Sequence, residues 1–285
     1  VIATGRLRRS LLYVPASNSR AVDKARSLPC DGVILDLEDA IDRSAKDAAR
    51  RAAVEAVRSG FGGRHVTIRI NGLDTPWGLA DLEAVRAAAP DAVLAPKVGD
   101  ASNAAAYVAA LDQAAPLWAM IETCRAVLRL DEIAGVPGLE ALVFGANDLL
   151  AEMRAAATAD RAPLQAALGL TVMAARAHGL AVFDGVFNDF ADAEGLAAEC
   201  AQGAAFGFDG KTLIHPGQIA ACNAAFAPSP DDVTQARAVI AAFDAAGEGS
   251  AGVLSVGGRM IERLHLEAAR RLLAIHEAAS GADLA

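Results

Sequence analysis

Aromatic residues are scarce, 5% of 285 positions, yet 54% of the chain is hydrophobic. The core must therefore be built from Ala, Val, Leu and Ile, as in alanine-rich helices packed around a Val/Ile/Leu sheet. Cysteine is equally sparse. Cys30, Cys124, Cys200 and Cys222 are scattered without metal-ligand spacing, which disfavours zinc, and a disulfide framework does not suit a chain this large. Cys30 and Cys200 read as small core hydrophobes. Basic charge is in the minority: 26 Lys and Arg face 35 Asp and Glu, for a formal net charge of -9. With no basic stripe, a nucleic-acid partner is disfavoured. An anionic substrate is not, because a few arginines in a cleft act locally. No apolar run is long enough to cross a membrane. The stretch after Arg6, Arg8 and Arg9 is too short for a signal peptide and contains Pro15. The expectation is a cytoplasmic protein.

What is present is one pattern repeated along the chain: an apolar strand, a polar residue at its end, then a helical segment. The clearest instance is the run from Leu117 to Ile121, closed by Glu122. Elsewhere Gly32–Leu37 runs into Glu38 and Asp39, His65–Ile70 carries Arg69 and Asn71, and Asp91–Pro96 closes with Lys97. Leu142–Gly145 precedes Asn147 and Asp148, and Gly179–Phe183 precedes Asp184. Polar groups at matching ends of parallel strands converge on one site, as at the C-terminal face of a (β/α)₈ barrel. The fold expected is such a TIM barrel with a C-terminal helical extension. Residues 1–246 form the barrel, and 247–285 a glycine-rich linker and helical arm. The eighth strand is expected near Ala204–Phe208, one helix over Cys124–Ile133, and another over Met260–Ala278.

The strand ends carry the chemistry. Asp36, Glu38 and Asp39 would repel one another in a dry site, so a cation or positive side chains should lie close. The alternative is that Asp36 or Asp39 caps the next helix. Arg69 at its strand end can hold a carboxylate through two parallel bonds, or serve a structural ion pair. Glu122 and Asp148 end neighbouring strands about 4.8 Å apart, close enough to share one cation; the lesser alternative is that Asp148 caps the following helix. Two carboxylates with waters and substrate oxygens suit magnesium. Lys211, among glycines, could approach a phosphate, a weak signal by itself. His215 reads more readily as a structural residue than as a catalyst.

The motifs go further in combination. Ser10-Leu-Leu-Tyr-Val-Pro15, Asp31-Gly-Val-Ile-Leu-Asp-Leu-Glu-Asp-Ala40, Ile68-Arg-Ile-Asn71, Pro96-Lys97, Met120-Ile-Glu-Thr123, Gly145-Ala-Asn-Asp-Leu149 and Gly210-Lys-Thr-Leu-Ile-His-Pro216 occur in order. Together they resemble the citrate lyase beta-subunit-like branch of the HpcH/HpaI aldolase and citrate lyase family. The resemblance implies a homo-oligomer, commonly a trimer or hexamer, that uses Mg2+ on a 3-hydroxy-acyl thioester of coenzyme A. It implies that Glu122 and Asp148 hold the metal, Arg69 orients substrate oxygens, and Glu38 and Asp39 hold metal-bound water. Arg20 and Lys24 are candidates for coenzyme A phosphates. Asp36-Leu37-Glu38-Asp39 lacks the histidine that the aldolase branch carries after Asp-x-Glu, which favours the acyl-CoA lyase branch. The lid motif of those lyases resembles Gly-x-Met-Ile-Asp and supplies an aspartate to a neighbouring subunit. Here it reads Gly258-Arg259-Met260-Ile261-Glu262, so Glu262 is the expected catalytic carboxylate, one methylene longer. The expected reaction is cleavage of citramalyl-CoA or malyl-CoA to a 2-keto acid and an acyl-CoA. The alternatives are a malyl-CoA thioesterase, the beta subunit of a citryl-carrier lyase, and a non-catalytic relative that binds acyl-CoA or partner proteins.

Overall fold

The structure is a computed structural model, and it describes residues 6–246 and 252–282. Residues 247–251 of the expected linker lie outside the described residues. Eight strands, β1 (Ser10–Pro15), β2 (Gly32–Asp36), β3 (His65–Arg69), β4 (Ala92–Ala95), β5 (Leu117–Ile121), β6 (Leu139–Phe144), β7 (Ala181–Asp184) and β8 (Gly210–Leu213), close in chain order into one barrel. All neighbours are parallel, and β8 returns to β1 through the pair Ser10 and Lys211. The crossovers carry α1 (Ser19–Ala25), α2 (Lys46–Ser59), α3 (Gly78–Ala88), α4 (Ala101–Leu111), α5 (Cys124–Leu128), α6 (Leu130–Ala134), α7 (Ala146–Met153), α8 (Gln165–Ala177) and α9 (Ala193–Phe206). Helix α10 (Ile219–Ala225) follows β8. This is the expected (β/α)₈ barrel.

Strand parity decides what reaches the site. Successive side chains point to opposite faces of a strand. Leu11, Ile34, Leu94, Trp118, Met120 and Val143 form one cluster inside the barrel. Leu12, Val33, Leu35, Ile68, Ala119 and Leu142 belong to the larger cluster beneath the helices. One further inward step beyond Ile34 is Asp36, and one beyond Met120 is Glu122. The pattern that fills the barrel with apolar groups therefore delivers acids to its C-terminal rim. Trp118 plugs the interior, with ring centroids 4.9 Å from both His65 and Phe183, and its indole N–H donates to Glu140 at 2.9 Å.

Several expected elements shift. Ala204–Phe208 is not strand eight: it lies at the end of α9, whose N-terminus Asp192 caps by accepting from the Gly195 N–H. Alanine favours helix, and Gly207 at φ 99° ends it. The true β8 looks polar because its Lys211 is wholly buried against Asp184 and Glu199, at 3.1 and 2.7 Å. The helix expected over Cys124–Ile133 breaks at Arg129, where φ is -127°, into α5 and α6.

The chain divides into two compact units, with Arg8–Phe226 as the barrel unit. The other unit holds α11 (Pro230–Ala246), a hairpin of β9 (Val253–Val256) and β10 (Arg259–Glu262), and α12 (Arg263–Ala282). Its core includes Ala236, Val239, Ile261 and Ala269. Helix α11 thus groups with the C-terminal arm and not with the barrel. The hairpin replaces part of the expected linker and the first turn of the expected last helix. Its two-residue turn, Gly257-Gly258, has φ of 56° and 78°, the mirror-image geometry that glycine adopts freely.

Candidate active site

Asp36 and Arg69 stand at the same register on neighbouring strands. The guanidinium grips the carboxylate with two parallel bonds, Nε to Oδ1 and Nη2 to Oδ2, both 2.7 Å. Asp36 also accepts from the N–H groups of Glu38 and Ala40. Burial alone would raise its pKa, but the Arg69 bonds, the Arg69 charge and those N–H groups override it and hold the carboxyl below its usual range. The structural ion pair is therefore realised and locks Arg69 in place, whereas the helix-capping alternative is not: Asp36 accepts from N–H groups of the loop, and Asp42 caps the short 3₁₀ turn before α2. Its Nη1 remains for the rim acids, 3.0 Å from Glu38 Oε2 and 3.2 Å from Asp39 Oδ2. The guanidinium also lies 4.9 Å over the Tyr13 ring.

Beneath this loop is a support that sequence reading missed. Lys46 is buried at the start of α2 and donates to the carbonyls of Leu37 and Glu38 and to Asn71 Oδ1, at 2.7–2.8 Å. Asn71 is buried on Lys46 and Asp81, facing away from the cleft. A lysine opening a helix looks like a solvated charge, so only the fold shows its partners.

Glu122 is buried to 2% exposure. Its Oε1 accepts from the Lys97 backbone N–H at 2.6 Å. On its other side stands Gly145, where any Cβ would lie 2.4 Å from the Glu122 Cβ and 2.7 Å from Oε2. Only glycine lets β6 end this close to the carboxylate. The Glu122 pKa is pushed up to about 7, first by burial and then by the charges of Glu38 and Asp148, against the Lys97 N–H and the Arg69 charge. Glu38 is also raised, first by burial. Asp148 lies in the first turn of α7, which has no side-chain cap bond, so the capping alternative is not what the structure shows.

Asp36, Asp39, Arg69, Glu122 and Asp148 line one cleft of about 400 Å³ at the C-terminal rim, with Tyr13, Met120 and Ile214. Glu38 sits behind Arg69, its side chain 12% exposed. Arg20 and Lys24 are exposed on α1 and are not among the residues that line the cleft. Glu262 ends β10 in the other unit, where its backbone N–H donates to His265 Nδ1 at 2.9 Å. Asp184 does not join the rim: it pairs with Arg161 at 2.8 Å and with Lys211, packed against Gly203 of α9. Lys211 is thereby spent on structure and is unavailable to a phosphate. His215 is structural, its ring accepting from the Gly217 N–H and stacking on Phe190.

The donors at the rim are oxygens, which suits a hard cation and not zinc. Among the described residues no three His, Cys, Asp or Glu gather into a complete metal cage. Glu122 and Asp148 would supply two ligands, leaving the rest to water and substrate, the usual arrangement for magnesium. The residues fit the ion.

Fold and rim together define a (β/α)₈ barrel of the kind that carries its chemistry at the strand C-termini. The chain belongs to the HpcH/HpaI aldolase/citrate lyase family, whose model matches residues 9–216. It is similar to the (3S)-malyl-CoA thioesterase of Cereibacter sphaeroides (strain KD131 / KCTC 12085), 49% identical over 271 residues that cover 95% of each chain. It is also similar to the citrate lyase subunit beta of Leuconostoc mesenteroides subsp. cremoris, 33% identical over 285 residues covering 96% of this chain and 94% of that one. Among solved structures, protein CitE from Mycobacterium tuberculosis in complex with magnesium, acetoacetate and coenzyme A matches with a TM-score of 0.81. The identity is 29%, over 96% of this chain and 99% of that chain. These relatives place the chain in the citrate lyase beta-like branch.

Proposed function

We propose that this chain is a magnesium-dependent enzyme that hydrolyses the thioester of a 3-hydroxy-acyl-CoA of the malyl-CoA type. The observation that carries the reading is the pair Glu122 and Asp148, set in the same cleft as a guanidinium that Asp36 holds rigid. The likeness to (3S)-malyl-CoA thioesterase supports hydrolysis over carbon–carbon cleavage: it is 49%, against 33% for the citrate lyase beta subunit.

Magnesium, held by Glu122 and Asp148, would supply Lewis-acid polarisation of substrate oxygens. Arg69 cannot rotate, because Asp36 takes both Nε and Nη2. Its positive charge is thus fixed at the cleft wall, where it favours the negative charge that develops on an acyl oxygen, and a direct Nη1 bond to that oxygen would take the place of the one to Glu38 or Asp39. Asp39 lines the cleft with a side chain 61% exposed, so it is the rim carboxylate open to a water attacking the thioester. Glu38, bridged between Arg69 and Lys97, does not line the cleft and acts on it through those two cations. Arg20 and Lys24 are assigned to the coenzyme A phosphates outside the cleft, and Glu262 to the lid of a homotrimer or hexamer.

A second reading, cleavage to a 2-keto acid and an acyl-CoA, is favoured by the same metal-ligand pair and by the citrate lyase relative. One experiment separates them. Purified protein is incubated with malyl-CoA and citramalyl-CoA, with magnesium and with EDTA, and free thiol and 2-keto acid are followed separately. Free thiol without keto acid, abolished by EDTA, is the expected result. Keto acid without thiol would establish the lyase, and silence in both channels would overturn both readings.

A further inference from the structure

Among the described residues, six non-glycine residues have left-handed backbones: Ala89, Lys97, Asp112, Gln113, Arg154 and Arg161. Ala89, Asp112 and Arg154 end helices, where that conformation satisfies terminal carbonyls, and Gln113 follows directly. Arg161 precedes a short 3₁₀ turn. Lys97 has no such role. It lies two residues past the end of β4 and three before Asp100, the cap of α4. At φ 51° a glycine would fit without steric penalty, yet this position carries a long side chain. Strained backbone of this kind persists where its surroundings determine it, and it gathers at functional sites.

Both ends of Lys97 are engaged with the candidate active site. Its backbone N–H donates to Glu122 Oε1 at 2.6 Å, which turns that oxygen toward β4 and leaves Oε2 beside Gly145. Its ammonium meets Glu38 Oε1 at 3.3 Å, while the other Glu38 oxygen faces Arg69 Nη1 at 3.0 Å. Glu38 is thus held between two cations. The Lys97 side chain is 55% exposed, and an ion pair so open to water adds little to stability. Its effect is on where the Glu38 carboxylate points.

We propose that Lys97 is a positioning residue that sets two carboxylates at once: Glu122 through its left-handed backbone and Glu38 through its ammonium. This inference rests on the proposed function: its turnover part on malyl-CoA hydrolysis, its magnesium part on Glu122 as a metal ligand. The two halves separate by substitution. Lys97→Gly keeps the backbone geometry and removes the ammonium. Lys97→Val removes the ammonium and, being β-branched, also favours a backbone that turns the N–H away from Glu122. Lys97→Arg keeps a cation on a long stem.

Magnesium affinity is measured by calorimetry on the full chain, and turnover of malyl-CoA by thiol release. Lys97→Gly should bind magnesium within about twofold of the unmodified protein, with kcat lowered roughly 10–100-fold at little change in KM. Lys97→Val should weaken magnesium binding by about fivefold or more, and Lys97→Arg should return kcat to within about threefold. A Gly variant with full kcat, or an Arg variant no better than Gly, overturns the side-chain role. Equal magnesium affinity in the Gly and Val variants overturns the backbone role. If the unmodified protein binds magnesium but does not turn over malyl-CoA, the proposed function falls and the calorimetric comparison alone decides for Lys97. No magnesium binding by the unmodified protein overturns both.

Discussion

At the scale of single residues, the rim is a contest between burial and charge. Glu122 titrates near 7 in the fold against an ordinary 4.5. The unfolded chain therefore gives up its proton first, and between these values the folded state holds more protons, so stability falls as pH rises. The loss from this one group reaches about 3 kcal/mol above neutrality as an upper figure. Asp36 has the opposite sign: its pKa is lowered, and the stability it contributes is lost as pH falls through the folded value. A cation between Glu122 and Asp148 has to displace a proton below pH 7 but not above it. Magnesium should accordingly raise the melting temperature more at about pH 8 than at about pH 6, and Asp148→Asn should shrink the rise at both. Thermal shifts of equal size at the two pH values would count against Glu122 as a ligand.

At the scale of elements, what sequence reveals depends on whether a residue's partner is near in the chain. The ends of β2, β3 and β5 were legible because an apolar strand stopping at an acid or an arginine is a local signal. Parity then carries Asp36, Arg69 and Glu122 to one rim. Strand β8 was hidden because Gly210-Lys211-Thr212 is polar in the sequence and becomes core only when Asp184 and Glu199 arrive from other elements. Asp184 misled for the same reason: it stands at a strand end, yet it pairs beneath α9 and not at the mouth. The Lys46 bonds and the Lys97 backbone are equally non-local. The Lys211 cluster predicts its own test. Lys211 is wholly buried, and removing one partner of a buried ion pair leaves charge uncompensated. Lys211→Met should therefore cost about 3–5 kcal/mol in urea unfolding while leaving the cleft residues in place. A change below about 1 kcal/mol would show that Arg161 alone neutralises Asp184 and Glu199.

At the scale of the whole molecule, the two units pose a question of assembly. The barrel unit carries the cleft, and the other unit carries Glu262 at the end of β10 on a frame of two helices and a hairpin. The lid resemblance assigns Glu262 to a neighbouring subunit's site in a homo-oligomer, and that assignment has a consequence that needs no structure of the complex. Asp148→Ala would disable the cleft and Glu262→Ala the lid, so each protein alone should be nearly inactive. Coexpressed in equal amounts, they assemble at random if the oligomer is symmetric. A site then needs an intact cleft from one subunit and an intact lid from another. Each condition is met about half the time, so roughly a quarter of unmodified activity should return. If every lid serves its own cleft, every subunit carries one lesion and mixing restores nothing. Separate expression followed by mixing controls for exchange, and light scattering gives the subunit number to which the fraction applies. Recovery near a quarter would make the catalytic unit a pair of neighbouring chains. No recovery, with both variants folded and assembled, would return Glu262 to its own subunit.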